Sequence, residues 1–469
     1  MRFSFSERAD QFLPRQVADR ARPLLARVDQ TFAGANAHDH AGRMSLIAFS
    51  IRVLSAVIAF FSQVLMARWL GSFDYGIFVV VWVSVLIVGN LSCFGFHTVV
   101  IRFIPQYREA ERLYALRGIL VASQVFTLAA STAIALLGAF GLTFFSSFLE
   151  AYYVLPFWLG LLMLPMIALS DTAQGIARAN GWAVAALAPA YVIRPVLLLC
   201  LMGTAILAGF PADVRTSLLA AIGATYVTTL YQAVRVLWPA QKAVSKAAPV
   251  FDMRMWMTVA LPIFLIEGFT FILTNADVLI VGYFMDPHDV AIYFATVKTL
   301  ALVHFVYFAV KTGAAQRYAQ LVQASDRGTL ADFARQTVHW TFWPSMVMGA
   351  LVLIGGYPLL LLFGAEFTRG YPLLFVLVLG VLLRASVGPA ESLLTMSGHQ
   401  KLCAWIYGAT LSVNLIANAV LIPQIGLWGA AIATATAMGF EAMALAFAVK
   451  SRFGFIMLIG CKMTATREE

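Results

Sequence analysis

Long apolar stretches alternate with short polar breaks along most of the chain. A helix needs about 20 apolar residues to cross the hydrocarbon core of a bilayer, and soluble domains rarely contain even one such stretch. The pattern therefore predicts an all-α integral membrane protein with about twelve transmembrane helices and no sizeable soluble domain. The predicted spans are 44–66, 77–98, 117–140, 153–175, 183–208, 216–236, 256–284, 289–311, 338–363, 370–396, 402–422 and 428–449.

The basic residues of the loops indicate the orientation of these spans. Loops on the cytoplasmic side carry an excess of Lys and Arg. If the N-terminus is cytoplasmic, inside segments carry 25 of the 32 basic residues and outside loops carry three. We therefore expect both termini in the cytoplasm, with the chain in a bacterial cytoplasmic (inner) membrane. The net charge of +9 then follows from topology and does not indicate a nucleic-acid partner.

The segment before the first span, residues 1–43, is basic and contains no apolar core of a cleaved signal peptide. Leu13, Val17, Leu24 and Val28 recur at helical spacing among arginines, which favours an amphipathic leader lying on membrane lipids. A partly disordered basic tail is the alternative. A six-helix lobe (44–236) and a cytoplasmic linker (237–255) are predicted to follow the leader. A second six-helix lobe (256–449) and a cytoplasmic tail (450–469) complete the predicted organisation.

Two pairs of turns indicate an internal duplication. LGSFDYGIF (70–78) matches DPHDVAIYF (286–294) when Asp74 is aligned with Asp289, an offset of 215. SDTAQGIARANG (170–181) matches GPAESLLTMSG (388–398) through Gly181 and Gly398, an offset of 217. Six helices per half is an even number, so both halves enter the membrane from the same side. Two pseudo-symmetric lobes around a central cavity are expected in such an architecture.

Four cations lie inside predicted spans, about 12 to 21 Å from the span ends. They are Arg52, Arg194, Lys298 and Arg384, and none has an acidic residue within one helical turn along its own helix. Ionisable groups in spans usually face a bundle interior or a water-filled cavity. We therefore predict a cationic cavity that binds an anion. The alternative is that each cation pairs with a carboxylate on another helix, for which the candidates are Asp171, Glu267, Asp277, Glu391 and Glu441. Of the four cations, Arg194 is the one most expected to be structural, because Pro195 frees a nearby backbone carbonyl that its guanidinium can bond.

The seventh span is the other polar helix. Pro262 is expected to kink it, and Glu267, Asn275 and Asp277 are candidates for coupling to a proton or to sodium. A solvated Asp277, or an Asp277 paired with Lys298, is the alternative. We find no Walker A sequence, no metal-ligand spacing, no catalytic motif and no disulfide pattern among the four cysteines. No cofactor, metal or catalytic residue is therefore predicted, and the chain is not expected to be an enzyme.

Several motifs resemble those of the multidrug/oligosaccharidyl-lipid/polysaccharide exporter superfamily, over roughly residues 44–450. They are Ala67-Arg68, Leu70-Gly71 and Asp74-Tyr75-Gly76 after the first span, Arg102-Phe103-Ile104-Pro105 after the second, and NLIANAVLIPQIGLWGAAIAT (414–434). Within the superfamily the chain looks most like the Wzx-type flippases of the polysaccharide transporter branch. The resemblance implies two six-helix lobes in a V, with a cationic cavity that opens alternately to each side. The implied cargo is a polyprenyl-pyrophosphate-linked oligosaccharide for surface polysaccharide or lipopolysaccharide synthesis, with a polysaccharide polymerase and chain-length machinery as possible partners.

Four other functions stay open from the sequence. Within transport they are a flippase for the lipid-linked peptidoglycan precursor and a multidrug exporter. Drug exporters of the superfamily often carry an acidic residue in the first helix, where this chain has Arg52, which argues against that branch. Outside transport they are a membrane-embedded polymerase or glycosyltransferase and a non-transporting scaffold. The lack of a D-x-D motif and of any large loop disfavours the enzyme.

Overall fold

The computed structural model describes residues 37–244, 248–324 and 327–460, and throughout these ranges the chain is helical with no β-strand. The first 36 residues, which hold most of the expected leader, lie outside the described residues. The helices are α1 (Ala37–Leu91), α2 (Phe96–Glu109), α3 (Leu113–Phe145), α4 (Ala151–Ala179), α5 (Ala183–Ala188), α6 (Arg194–Leu207), α7 (Val214–Gln232), α8 (Trp238–Lys242), α9 (Met253–Leu273), α10 (Ala276–Phe284), α11 (Pro287–Gln323), α12 (Arg327–Phe363), α13 (Tyr371–Ala385), α14 (Ala390–Met396), α15 (Gln400–Ile425) and α16 (Leu427–Phe453).

The prediction of an all-α, multi-pass membrane protein is confirmed. Ten helices in the described residues are long and apolar enough to cross a membrane. One of them, Leu54–Glu109, contains residues 54–66 of the first predicted span and all of the second. The two spans are separated at Gly71, whose φ of 72° and ψ of 171° break α1. The eighth predicted span lies in α11, which is 37 residues long. The count of twelve is therefore approximate.

Helices in the second half extend well beyond the predicted spans. α11 runs to Gln323 and α12 starts at Arg327, whereas the apolar stretches cover only 289–311 and 338–363. Hydropathy detects only the part of a helix that suits hydrocarbon, and a helix can continue into water with polar residues. The helix α9 also continues through Pro262, and the seventh span is interrupted later, at Thr274 and Asn275.

The turns of the two halves match in detail at the predicted offset. Gly181 after α4 has φ 71° and Gly398 after α14 has φ 85°, which glycine adopts without steric cost. Both turns are closed in the same way, with Trp182 N–H donating to Ala177 O and His399 N–H donating to Leu394 O, as in a Schellman motif. Gly209 and Gly426, also 217 apart (426 − 209), are a further pair with positive φ. These equivalences support two pseudo-symmetric lobes.

The lobes are formed by α1–α8 and α9–α16, and helices pack mainly within their own lobe. The two lobes contact each other chiefly through α1 and α11. Gly76 permits this contact, because a Cβ atom there would lie 1.9 Å from the carbonyl oxygen of Pro287. On the same contact Tyr75 packs edge-on against Phe294 and Phe367. The space between the lobes away from this contact contains the candidate site.

Candidate functional site

A cavity of about 550 Å³ lies between the two lobes. Its wall comes mostly from α1, α4 and α6 of the first lobe, and α9 and α11 of the second lobe complete it. The lining mixes aromatic rings with amides, three cations and one carboxylate. The rings include Phe60, Phe78, Trp82, Tyr191, Phe271 and Phe294; the amides are Gln63, Asn90, Gln174 and Asn275; the cations are Arg178, Arg194 and Lys298, with Asp171 as the carboxylate.

Two of the four predicted intramembrane cations line this cavity, one from each lobe. Arg194 is 6% exposed and donates from Nη2 to Ser170 Oγ at 2.8 Å, and its buried Nε has no hydrogen-bond partner in the described residues. The Nζ atom of Lys298 lies 4.7 Å from the centroid of the Phe294 ring, a cation–π contact. Among the ion pairs of the described residues, neither cation has a carboxylate partner. The cavity therefore contains positive charge that the protein does not neutralise by direct pairing.

The local backbone positions Arg194 at the cavity. It begins α6 directly after a π-helical segment, Pro189–Ile193. Such segments arise where the helical hydrogen-bond ladder is disturbed, here by prolines at 189 and 195, and are frequent at functional sites. Ser170, which accepts the Arg194 hydrogen bond, donates in turn to Gln232 Oε1 at 2.7 Å. This chain of polar groups fixes the guanidinium on the first lobe.

Arg52 lies in α1, and its side chain is outside the part of the structure that describes side chains. Position 52 is four residues before Ala56 and seven before Ala59, both of which line the cavity. That spacing is the repeat of one helix face. The prediction that Arg52 contributes to the cavity stays a prediction.

Arg384 lies elsewhere, and our expectation that it shares a cavity with Lys298 needs correction. It is not among the cavity residues. Its Nε donates to Glu441 Oε1 at 2.6 Å, and its Nη2 donates to Tyr307 Oη at 2.6 Å and lies 3.4 Å from Glu391 Oε2. Lys311 also pairs with Glu391. The alternative of a carboxylate partner on another helix therefore describes Arg384, because Glu391 of α14 and Glu441 of α16 converge on it.

Glu267 joins the two lobes at the cavity. Its Oε2 lies 3.0 Å from Nε2 of His97, and the Thr98 hydroxyl lies 2.9 and 3.0 Å from its two carboxylate oxygens. His97 itself lines the cavity. Nearby, Gly95 lets the backbones of the lobes approach, because a Cβ there would lie 2.6 Å from the carbonyl oxygen of Ala260. Glu267 thus makes an interlobe contact.

Asp277 lies in a separate buried polar cluster of the second lobe and is 8% exposed. Its carboxylate accepts hydrogen bonds from Thr434 Oγ1 at 2.6 Å and from Asn418 Nδ2 at 3.0 Å, with Tyr293 Oη at 3.4 Å. The amide oxygens of Asn414 and Asn418 are buried and have no donor in the described residues. A buried carboxylate beside unsatisfied oxygen atoms is a chemically suitable environment for a hard monovalent cation or a proton.

Asn275 is not part of that cluster. Its Nδ2 donates to Phe271 O at 2.8 Å, and it lines the cavity between the lobes. The alternative pairing of Asp277 with Lys298 is also absent from the described ion pairs. The sequence reasoning did not identify Asn414, Asn418 and Thr434 as neighbours of Asp277. The sequence does contain a signal for this cluster. Asn414 and Asn418 are four residues apart in an apolar span, which places both on one helix face.

Comparisons with known proteins agree with this architecture. The model of the MatE family matches residues 262–420, about a third of the chain. Among solved structures, "Lipid II flippase MurJ, inward closed conformation" has a TM-score of 0.68 at 15% identity and covers 86% of this chain and 87% of that chain. An inward-facing multidrug resistance MATE family transporter of the MOP superfamily has a TM-score of 0.69 at 15% identity, covering 86% and 94%. A MOP superfamily transporter from Pyrococcus furiosus, titled for the reverse polarity of its binding pocket, has a TM-score of 0.59 at 16% identity, covering 91% and 97%.

The chain therefore has the fold of the MATE and MurJ transporters. Curated protein sequences show no match to it. At these identities the likeness concerns the fold, so the cargo must be inferred from the residues of the cavity.

Proposed function

We propose that this protein is a flippase that moves a polyprenyl-pyrophosphate-linked oligosaccharide from the cytoplasmic to the outer leaflet, for surface polysaccharide or exopolysaccharide synthesis. The cavity carries the proposal. It lies between two lobes of a transporter fold, and cations from both lobes, Arg194 and Lys298, line it without a paired carboxylate. A diphosphate is an anion of the size and charge that two such groups can share.

The chemistry of the two cations suits a phosphate headgroup. Arginine presents a planar fork of donors that binds phosphate bidentately, and lysine contributes a compact point charge. Arg194 is held by Ser170, whereas Lys298 reaches the cavity from α11 of the opposite lobe. A headgroup bound between them contacts both lobes, so its binding depends on how the lobes are arranged. That dependence is the requirement for alternating access.

The rest of the lining suits a sugar. Amide side chains such as Gln63 and Asn90 can donate to and accept from hydroxyl groups, and rings such as Trp82 and Tyr191 offer apolar faces. The apolar tail of the cargo would stay in the bilayer. A cavity with three cations and one carboxylate is poorly suited to a cationic drug, which is the cargo class that the first-helix arginine also disfavours.

A lipid-linked peptidoglycan precursor flippase is the second candidate, because the structure titled lipid II flippase MurJ is among the similar ones. Both cargoes would present a diphosphate and sugars to the same cavity. Comparing them directly, by flipping assays with each lipid in reconstituted vesicles, decides between the two.

Transport is proposed to be driven by an ion gradient or by membrane potential. Asp277 is the coupling candidate that the geometry favours, since its cluster contains buried oxygen atoms without donors. Glu267 and Asn275 have other contacts, to the opposite lobe and to Phe271 respectively. We propose that proton or sodium binding at Asp277 changes the packing of α10 against α15 and α16.

The decisive experiment removes the charge of Lys298 alone. Lys298→Met keeps the length of the side chain, and the loss of a desolvated charge-assisted contact of about 1.5–3 kcal/mol should weaken cargo binding roughly ten- to hundredfold. We expect normal abundance in the membrane and failure to restore polysaccharide export in a strain lacking the gene. Lys401→Met is the matched control, because Lys401 is an exposed lysine at the start of α15. Full export by the Lys298→Met variant would refute the role of this cation.

A further inference from the structure

We propose that the first turn of α2 is a phosphate subsite of the cavity, and that the carboxylate of Glu267 from the other lobe takes the place of a phosphate there while the lobes are together. The inference rests on the proposed function, since it assigns part of the headgroup to specific donors. It also makes cargo binding and lobe closure compete for the same atoms.

The geometry around Glu267 is that of a bound oxyanion. His97 Nε2 and Thr98 Oγ1 approach the carboxylate at 2.9 to 3.0 Å. These are the second and third residues of α2, a 14-residue helix that begins at Phe96. The carboxylate therefore lies beside the first turn of α2, where the helix dipole favours negative charge. Its donors there are the side chains of His97 and Thr98, because the backbone N–H groups of Thr98 and Val99 donate to Gly95 O.

The same wall of the cavity supplies further positive charge. His97 and Arg178 both line the cavity. α4 packs directly against the start of α2 at Gly175. A Cβ atom at that position would lie 2.0 Å from the carbonyl oxygen of His97. Arg194 is more than nine-tenths buried on this wall, with its Nε lacking a partner. A diphosphate could thus extend from Arg194 towards the first turn of α2.

Glu267 comes from α9, in the opposite lobe, so its binding to α2 is also a contact between lobes. A phosphate carries more charge and more acceptor oxygens than a carboxylate, and it competes well for the same donors. When it displaces Glu267, the lobes lose a contact beside the close approach of Gly95 and Ala260. Headgroup binding at this subsite would therefore favour separation of α2 from α9.

The test measures binding of inorganic pyrophosphate to the purified full-length chain in lipid nanodiscs by calorimetry. Glu267→Gln removes the competing charge and keeps the side-chain size, so pyrophosphate should bind about tenfold more tightly than to the unmodified chain. Glu267→Asp keeps the charge but withdraws it by one methylene, and its affinity should lie between the two. Glu366→Gln is the matched control. Glu366 is exposed on the 3₁₀ turn before α13, so this substitution removes the same charge outside the cavity. Its affinity should not change.

The outcomes separate this inference from the proposed function. Pyrophosphate binding that Lys298→Met weakens, but that neither change at Glu267 strengthens, would refute the subsite and leave the flippase proposal standing. If Glu267→Gln and Glu366→Gln strengthen pyrophosphate binding equally, the gain in affinity comes from the net charge of the protein, and the subsite is also refuted. Absence of saturable binding to the unmodified chain would refute both. Hydrogen exchange provides a second readout: pyrophosphate should increase exchange in peptides from 253–264 of the unmodified chain, and the Glu267→Gln variant should show that faster exchange without pyrophosphate.

Discussion

The Ser72 hydroxyl lies 2.6 Å from Nδ1 of His288, and the two residues come from the two turns that the sequence repeats. The ring of His288 also packs on Phe73, with 5.3 Å between centroids. At the offset of 215, Phe73 is the equivalent of His288. Equivalent turns contact each other when they lie near a two-fold axis, so this contact marks the pseudo-symmetry axis between the lobes.

This contact should be specific to one arrangement of the lobes. In a variant without the native cysteines, Ser72→Cys and His288→Cys together should be joined by a short thiol-specific cross-linker. The cross-link should stop export, since alternating access requires the lobes to separate there, and reduction of a cleavable linker should restore it. A pair within one lobe, Thr127→Cys with Thr172→Cys, is the control, because their hydroxyls lie 3.1 Å apart. Continued export with the interlobe link fully formed would contradict rocking of the lobes at this contact.

Gly76 should control how readily that contact forms. Gly76→Ala places a methyl group 1.9 Å from the carbonyl oxygen of Pro287, and relief requires α1 and α11 to move apart. Overpacking of this kind costs about 1–3 kcal/mol, so the cross-linked fraction at 72 and 288 should fall roughly ten- to hundredfold. Gly141→Ala is the control, since no heavy atom lies within 4 Å of its added Cβ. An unchanged yield would mean that the backbones do not approach closely there.

The fold class followed from hydropathy because the bilayer imposes span length and a helical backbone on every crossing segment. The duplication could be detected because turns that need positive φ, such as those at Gly181 and Gly398, retain glycine at the equivalent position. The helix ends could not be predicted in the same way. α11 and α12 continue past the hydrocarbon, where polarity no longer distinguishes a helix from a loop.

The candidate site was only partly predictable. Span depth gave Arg194, Lys298 and Arg384 alike as candidates for the cavity, and Pro195 favoured a structural role for Arg194. The structure places Arg194 and Lys298 at the cavity, whereas tertiary packing brings Glu391 and Glu441 to Arg384. Nothing in the sequence predicted a role for His97, which lies near the end of the second predicted span. Its role depends on contact with Glu267 in the other lobe, which no spacing along the chain reports.

Asp277→Asn should uncouple transport from its driving ion. The substitution keeps the size of the side chain and removes the charge that a bound cation or proton needs. We expect flipping in reconstituted vesicles to lose its response to an imposed sodium or proton gradient. Asp289→Asn is the control, since Asp289 lies in the first turn of α11, outside the Asp277 cluster. An unchanged response in the Asp277→Asn variant would place coupling elsewhere, for example in the action of the membrane potential on the charge of the cargo.

The orientation in the membrane is tested by reporter fusions at two points. A reporter after Ala324, between α11 and α12, should behave as cytoplasmic, and one after Asp286, before α11, should behave as external. The expectation follows from the 25-to-3 division of basic residues between the two sides. The opposite result at both positions would invert the topology, together with the direction assigned to transport.

Arg384 should be required for stability, in contrast to Lys298. Removing the guanidinium in Arg384→Ala leaves Glu441 without its cation, and both side chains are only about a tenth exposed. Breaking a buried pair by removing one partner costs about 3–5 kcal/mol. The purified variant should therefore unfold at a lower temperature, and its loss of export should follow its loss of protein from the membrane.

A double variant tests whether the unpaired Glu441 carboxylate causes the loss of stability in Arg384→Ala. Changing Glu441 to Ala together with Arg384→Ala removes the uncompensated charge, while Glu391 keeps its pair with Lys311, so part of the lost stability should return. Lys298→Met provides the comparison, because it leaves no buried carboxylate unpaired in the described residues and should unfold near the temperature of the unmodified chain. If Arg384→Ala instead gives a stable, abundant protein that cannot export, Arg384 belongs functionally with the cavity cations despite its ion pairs.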